Sequence, residues 1–154
     1  MKLGTLCYVK KDDSYLLLHR IKKENDMHQG LWVGLGGKFE AGESPEDCVI
    51  REIYEESGLI IKNPQLKGIV TFPENFNDED WYIFIFVAEN FSGKLLKNSP
   101  EGHLRWVKEN ELADLPMYEG DRHFFKWIKE CKGVFSAKFI YDGRKLLNYK
   151  ITEY

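Results

Sequence analysis

The chain has little of what a secreted scaffold, a membrane protein or a nucleic-acid polymer binder needs. Only 3 of its 154 residues are cysteine, and Cys7, Cys48 and Cys131 lack the close pairing of a zinc site. Reduced thiols without chemistry, in a cytosolic protein, are the expectation. Proline is scarce at 5 residues, and no low-complexity stretch, repeat or linker divides the chain. No apolar run approaches the roughly twenty residues of a transmembrane helix. Met1 to Val9 is interrupted by Gly4 and followed by Lys10, Lys11, Asp12 and Asp13 rather than a cleavage region, so no targeting segment is expected. Basic residues do not dominate either. Lys and Arg total 22 against 25 Asp and Glu, giving a net charge of −3. With a pI near 5.8 and no basic stripe, a nucleic-acid polymer is excluded as the main partner, while a small anion carried with a metal remains compatible.

What is present suits one packed domain over residues 1–154. Apolar residues make up 43% and aromatics 14%, ample for a core. Thr5 to Val9 and Tyr15 to His19 read as strands around an Asp-Asp-Ser turn, and the polar stretch Lys22 to Gly30 reads as a loop. Leu66 to Phe72, Trp81 to Ala88 and His103 to Val107 read as further strands, and Asp114 to Lys132 as a loop leading into a helix. Phe135 to Tyr141 and Lys145 to Ile151 flank Asp142-Gly143, a strong tight-turn signal, and predict a terminal hairpin. Phe124, Phe125 and Trp127 have the spacing of a helix packed into the core. Strands mixed with well-separated helices imply a sheet packed between helices, an α/β class.

One run stands apart. In Arg51-Glu52-Ile53-Tyr54-Glu55-Glu56 the spacings of three and four place three carboxylates on one helical face, where like charges repel. The cluster implies a cation absent from the sequence, and oxygen ligands of this kind suit magnesium. Upstream, Gly36 and Gly37 read as a turn where carbonyls can approach a ligand, and Gly42 as a second turn. Ser44 is the expected N-cap, with Pro45 at the first helical position and Asp47 completing a capping-box pattern. A helix from about Pro45 to Ser57, stopped by Gly58, follows.

Gly37, Glu43, Arg51, Glu52, Ile53, Glu55, Glu56, Gly58 and Leu59 fill the defined positions of the Nudix box over residues 37–59, and on these residues the chain resembles the Nudix hydrolases. The resemblance implies an alpha-beta-alpha sandwich with a mixed sheet, and hydrolysis of a nucleoside diphosphate linked to another group. It implies a magnesium site, with manganese as a substitute, held by the Gly37 carbonyl, Glu52, Glu55 and Glu56. Either Glu52 or Glu56 could serve as the base instead, since sequence does not separate ligand from base in so dense a cluster. Arg51 is expected to pair with a box carboxylate such as Glu43. Glu101, before the strand carrying Trp106, matches an extra metal-binding glutamate of MutT-like members. Lys38 and Lys23 are candidates for phosphate contact.

The likeness continues through Thr5-Leu6, Leu31-Trp32, Gly34 to Lys38, Met117-Tyr118 with Asp121, and Phe135 to Tyr154. These segments resemble MutT-type members that hydrolyse oxidised purine nucleoside triphosphates. Thr5, Leu35, Gly36, Gly37, Lys38, Tyr118 and Asp121 are the implied substrate-binding residues, with Tyr118 the candidate for stacking on a base. Two departures stand out: Val33 follows Trp32 where an asparagine reads the base in the animal members, and Gly120 precedes Asp121 where they have adjacent aspartates. The expected activity is magnesium-dependent conversion of 8-oxo-dGTP to 8-oxo-dGMP and pyrophosphate. The alternatives are the same chemistry on another nucleotide, or a nucleotide sensor without turnover.

Overall fold

Alternation along the first hairpin assigns the two faces of the sheet. On β1 (Lys2–Lys11) and β2 (Ser14–Arg20), Cys7, Val9 and Leu16 point into one apolar cluster, and Tyr8, Tyr15 and Leu17 into another. Each cluster is closed by a helix. Val49 and Ile53 of α1 (Pro45–Ser57) complete the first; Phe124, Phe125, Trp127 and Ile128 of α2 (Glu119–Glu130) complete the second. Fully burying side chains of this size is worth about 1.5–3 kcal/mol each, so each helix is held by a handful of contacts. The expected helix-sheet-helix layering is present, and Phe124, Phe125 and Trp127 are core residues. The computed structural model describes residues 1–22, 26–75 and 77–154. The phosphate contact expected of Lys23 lies outside the described residues.

The remaining strands are β3 (Trp32–Val33), β4 (Leu35–Lys38), β5 (Leu59–Lys62), β6 (Gln65–Asn75), β7 (Glu79–Ala88), β8 (Asn90–Gly93), β9 (Asn98–Ser99), β10 (Gly102–Lys108), β11 (Phe135–Asp142) and β12 (Lys145–Glu153). The main sheet runs β12-β11-β6-β7-β1-β2-β10-β9. It is mixed, because β1 lies parallel to β7 and β11 parallel to β6 while the other pairs are antiparallel. A 3-10 turn over Glu109–Asp114 precedes α2. Among the described residues no helix is long and apolar enough to cross a membrane.

Two local expectations shift. Gly36 and Gly37 are not a turn; they form part of β4, with Leu6 opposite Gly36 and Thr5 opposite Gly37. A Cβ on Gly36 would overlap the Thr5 carbonyl, so glycine here permits close strand approach. The terminal turn lies one residue later than expected. Asp142 pairs with Lys145, leaving Gly143 and Arg144 as the central residues, with Gly143 at φ 57°. A register shift between Ile140 and Tyr141 displaces the pairing from the Asp-Gly signal.

Candidate active site

The helix that carries the acidic run is fixed at both ends by its own sequence. The Ser44 hydroxyl accepts from the Asp47 N–H at 3.0 Å and the Asp47 carboxylate accepts from the Ser44 N–H at 3.1 Å, a reciprocal cap with Pro45 behind it. At the other end Gly58 is left-handed at φ 80° and its N–H donates to the Tyr54 carbonyl at 2.9 Å. A side chain there would meet the Lys94 carbonyl at 2.5 Å as well as being strained.

Arg51 organises the carboxylates. Its Nε and Nη2 donate to the two oxygens of Glu43 at 2.7 and 2.8 Å, a bidentate pair of the kind expected. Nη1 reaches Glu52 at 2.7 Å and Glu55 at 3.3 Å, and Nη2 also donates to the Lys38 carbonyl at 3.0 Å. One guanidinium therefore ties helix α1 to the loop before it and to β4. Its hydrogen bonds to Glu43 hold that carboxyl down to about 2.

A cleft of about 600 Å³ opens beside this helix. An acidic group on its wall comprises Glu52, Glu56 and Glu101, with Thr5, Gly36, Gly37 and Lys38 from the two paired strands. Burial, then Glu101 and Glu52, push the Glu56 carboxyl up to about 8, against the opposing pull of the Gly36 N–H and Arg20. Glu56 thus lies within electrostatic reach of both Glu52 and Glu101. A Cβ on Gly37 would overlap the Glu52 carboxylate, so glycine lets that side chain lie against the backbone of β4. Thr5 is buried, with its hydroxyl 3.5 Å from the Cys48 thiol, and Lys38 extends its ammonium over the Trp81 ring at 5.5 Å.

Two expected members stand elsewhere. Glu55 is largely exposed, pairs with Arg51, and is not part of the cleft wall, because the helix turns its position outward from Glu52 and Glu56. Leu35 is fully buried in the cluster under α1, since alternation along β4 directs it away from the cleft. Among the described residues no three carboxylate, histidine or cysteine groups converge on one point. Glu52 gives an oxygen to Arg51, and Glu101 gives one to Arg20 at 2.7 Å. The donor set still fits a divalent cation: Glu52, Glu56 and Glu101 share one wall, and burial, then the other two carboxylates, disfavour the ionised form of Glu56.

An aromatic group shares the cleft: Phe72, Trp81, Tyr118, Phe124 and Tyr141, with His28, Val33 and Asp121. Tyr118 is the N-cap residue of α2, and its hydroxyl lies 2.8 Å from His28 Nδ1 and 3.4 Å from the Met27 carbonyl. Its ring meets Tyr141 edge-on at 5.8 Å. Asp121 sits in the first turn of α2, its N–H donating to the Tyr118 carbonyl at 3.1 Å. Burial pushes its carboxyl up to about 7. Trp32 lies outside this wall, stacked on His19 at 4.4 Å with the Arg105 guanidinium 4.7 Å from its ring.

A model of the NUDIX domain matches residues 2–128. The chain belongs to the Nudix family. A Nudix hydrolase of Bacillus subtilis, YvcI, is 39% identical over 151 residues, covering 96% of this chain and 92% of that protein. The oxidized purine nucleoside triphosphate hydrolase of the mouse is 27% identical over 131 residues, 85% of this chain and 83% of its own. The crystal structure of a mutator MutT protein from Bacillus halodurans superposes with a TM-score of 0.86 at 37% identity, over 98% of this chain and 97% of that one. The protein is therefore a MutT-like Nudix hydrolase, an enzyme of phosphoric anhydrides.

The Nudix box carried the acidic group, but sequence reasoning missed Arg20, Asp26, His28, Phe72, Trp81 and Tyr141. None belongs to a local motif. Tyr141 was visible only as a strand residue and Arg20 fell between a predicted strand and a predicted loop, and their place in the cleft depends on pairing between segments far apart in the chain.

Proposed function

We propose that this Nudix hydrolase is a magnesium-dependent pyrophosphohydrolase that converts 8-oxo-dGTP to 8-oxo-dGMP and pyrophosphate, acting in the cytoplasm as a single domain on the nucleotide pool. One observation carries the reading: a single cleft joins three carboxylates able to hold a cation to an aromatic wall bearing Asp121. The likeness to a mutator MutT protein and to the mouse hydrolase supports it.

Bound among Glu52, Glu56 and Glu101, with the Gly37 carbonyl beside them, magnesium or manganese would offset triphosphate charge and position an attacking water. Arg51 holds Glu52 in place and keeps α1 against the loop. Whichever of Glu52 and Glu56 is not occupied by the cation takes the proton from the attacking water. Glu55 supports this group through Arg51 rather than from the cleft wall. Lys38 reaches phosphate oxygens as a flexible point charge, while Gly36 and Gly37 let the phosphates approach the backbone of β4. Thr5 lines the floor.

Tyr118 and the neighbouring aromatics enclose the purine. Asp121 accepts from the ring N–H and exocyclic amine of guanine, groups present whether or not the base is oxidised. The asparagine contact of the animal members has no counterpart at Val33, so this wall supplies shape rather than hydrogen bonds there.

A panel of 8-oxo-dGTP, dGTP, ordinary nucleoside triphosphates and ADP-ribose, with pyrophosphate and phosphate release followed separately, tests the assignment. Fastest turnover of 8-oxo-dGTP, giving monophosphate and pyrophosphate, is expected. Faster cleavage of ADP-ribose, or release of single phosphates through a diphosphate, would reject it.

A further inference from the structure

Arg20 forms two short ion pairs with residues that belong to different parts of the cleft. Its Nη1 donates to Glu101 at 2.7 Å, and its Nε to Asp26 at 2.8 Å. The arginine and Asp26 side chains are only 15% and 8% exposed, so their pair lies in a poorly solvated setting where geometry counts for more than at a surface, while Glu101 is 35% exposed. The backbone of Arg20 adds two more ties, its N–H donating to the Leu31 carbonyl at 3.0 Å and its carbonyl accepting from Gly30 at 2.6 Å.

Asp26 passes the constraint onward. Its second oxygen accepts the N–H of His28 at 3.2 Å, and His28 lies against the Tyr118 hydroxyl at 2.8 Å. The same segment is held from the other side by Arg144, which donates to the Met27 and Gln29 carbonyls at 3.1 and 2.8 Å. Residues 26–31 thus form a strap fastened to the acidic group through Arg20, to α2 through Tyr118, and to the terminal hairpin through Arg144.

We propose that Arg20 is a positioning residue that makes the acidic and aromatic groups one site, fixing Glu101 beside Glu56 with one arm of its guanidinium and setting the base-facing strap through Asp26 with the other. The geometry requires a planar fork: an ammonium is a point charge and does not hold two carboxylates at fixed angles as two separate guanidinium nitrogens do. Only one Glu101 oxygen, Oε2, is bonded to Arg20, and Glu101 lines the same cleft as Glu56. The inference rests on the proposed placement of the cation among Glu52, Glu56 and Glu101 and of the base beside Tyr118.

Arg20→Lys separates geometry from charge, since the net charge is retained. Manganese affinity is read by electron paramagnetic resonance, and nucleotide affinity by calorimetry with whichever of 8-oxo-dGMP, dGMP and ADP-ribose the wild type binds, well below the melting temperature. No turnover is needed, so failure of the substrate assignment shows in the wild-type nucleotide panel and failure of the coupling in the variant. Both affinities are expected to fall about fivefold or more, the loss of one arm of a charge-assisted fork. A lowered melting temperature with both affinities unchanged, or a fall in only one of them, would overturn the proposal. Should Arg20→Lys not fold, Asp26→Asn reads the strap arm alone: nucleotide affinity at saturating manganese is expected to fall, and an unchanged value would overturn it.

Discussion

The main-chain N–H of Gly120 donates to the Tyr141 hydroxyl at 2.8 Å, and a Cβ on residue 120 would meet that same oxygen at 2.5 Å. The Tyr141 side chain on β11 therefore occupies the space that a side chain at residue 120 would take. Helix α2 begins at Glu119, so this bond also satisfies one of the N–H groups that a helix leaves unpaired in its first turn.

Gly120→Ala is expected to push Tyr141 aside and break this bond, lowering stability by about 1–3 kcal/mol. Tyr141→Phe removes the oxygen that the new methyl would strike, so the double variant should be less destabilised than the two single changes summed. Thermal melts of the four proteins measure this, and strict additivity would show that the two residues do not share the space.

Glu56→Gln keeps the size of the side chain but removes a carboxylate that can hold a cation or accept a proton. Turnover is expected to fall at least about a hundredfold with nucleotide still bound. Magnesium should raise the melting temperature of the wild type more than that of the variant, because binding to the folded state alone stabilises it. Near-normal kcat would remove Glu56 from the mechanism, and equal thermal shifts would count against a cation at this wall.

Legibility in the sequence followed the range of the interactions. The α1 caps, the Arg51–Glu43 pair and the hairpins were readable because their partners lie within a few residues of one another or inside a dense motif. Spacings of three and four put Glu55 on the same broad face as Glu52 and Glu56, and only packing against β4 decides which of them line the cleft. Leu35 was implicated by its neighbours, although alternation along β4 sends its side chain to the core. Gly36 and Gly37 carry a turn signal in isolation, yet strand pairing against Thr5 and Leu6 overrode it. Arg20 and Tyr141 act across 81 and 21 residues of chain, a separation at which composition and spacing carry no information.

Arg51→Lys tests whether the fork at the Nudix box orients Glu52 or merely adds charge. The arginine pairs are partly solvated, so the melting temperature should drop by only a few degrees. Turnover should fall about tenfold or more, because lysine does not hold Glu43 and Glu52 together. Wild-type kcat in this variant would show that the Glu52 position does not depend on the guanidinium geometry.

Asp121 carries a prediction in pH as well as in specificity. Burial raises its carboxyl from 3.8 to about 7, so between those values the folded protein keeps a proton that the unfolded chain has released. The stabilisation from that proton is complete below about pH 4 and is lost as the pH rises through 7. Asp121→Asn lacks this titration, and its melting temperature relative to the wild type should climb between pH 5 and about pH 7.5. A constant difference across that range would show that the carboxyl titrates normally. On the substrate side, loss of a charge-assisted pair costs roughly 1.5–3 kcal/mol, so Asp121→Ala should lower kcat/KM for 8-oxo-dGTP about ten- to a hundredfold. In the proposed contact Asp121 meets guanine groups common to both bases, so the preference over undamaged dGTP should survive the substitution. Unchanged kcat/KM would remove Asp121 from base recognition, and selective loss of the oxo preference would move damage recognition onto this carboxylate.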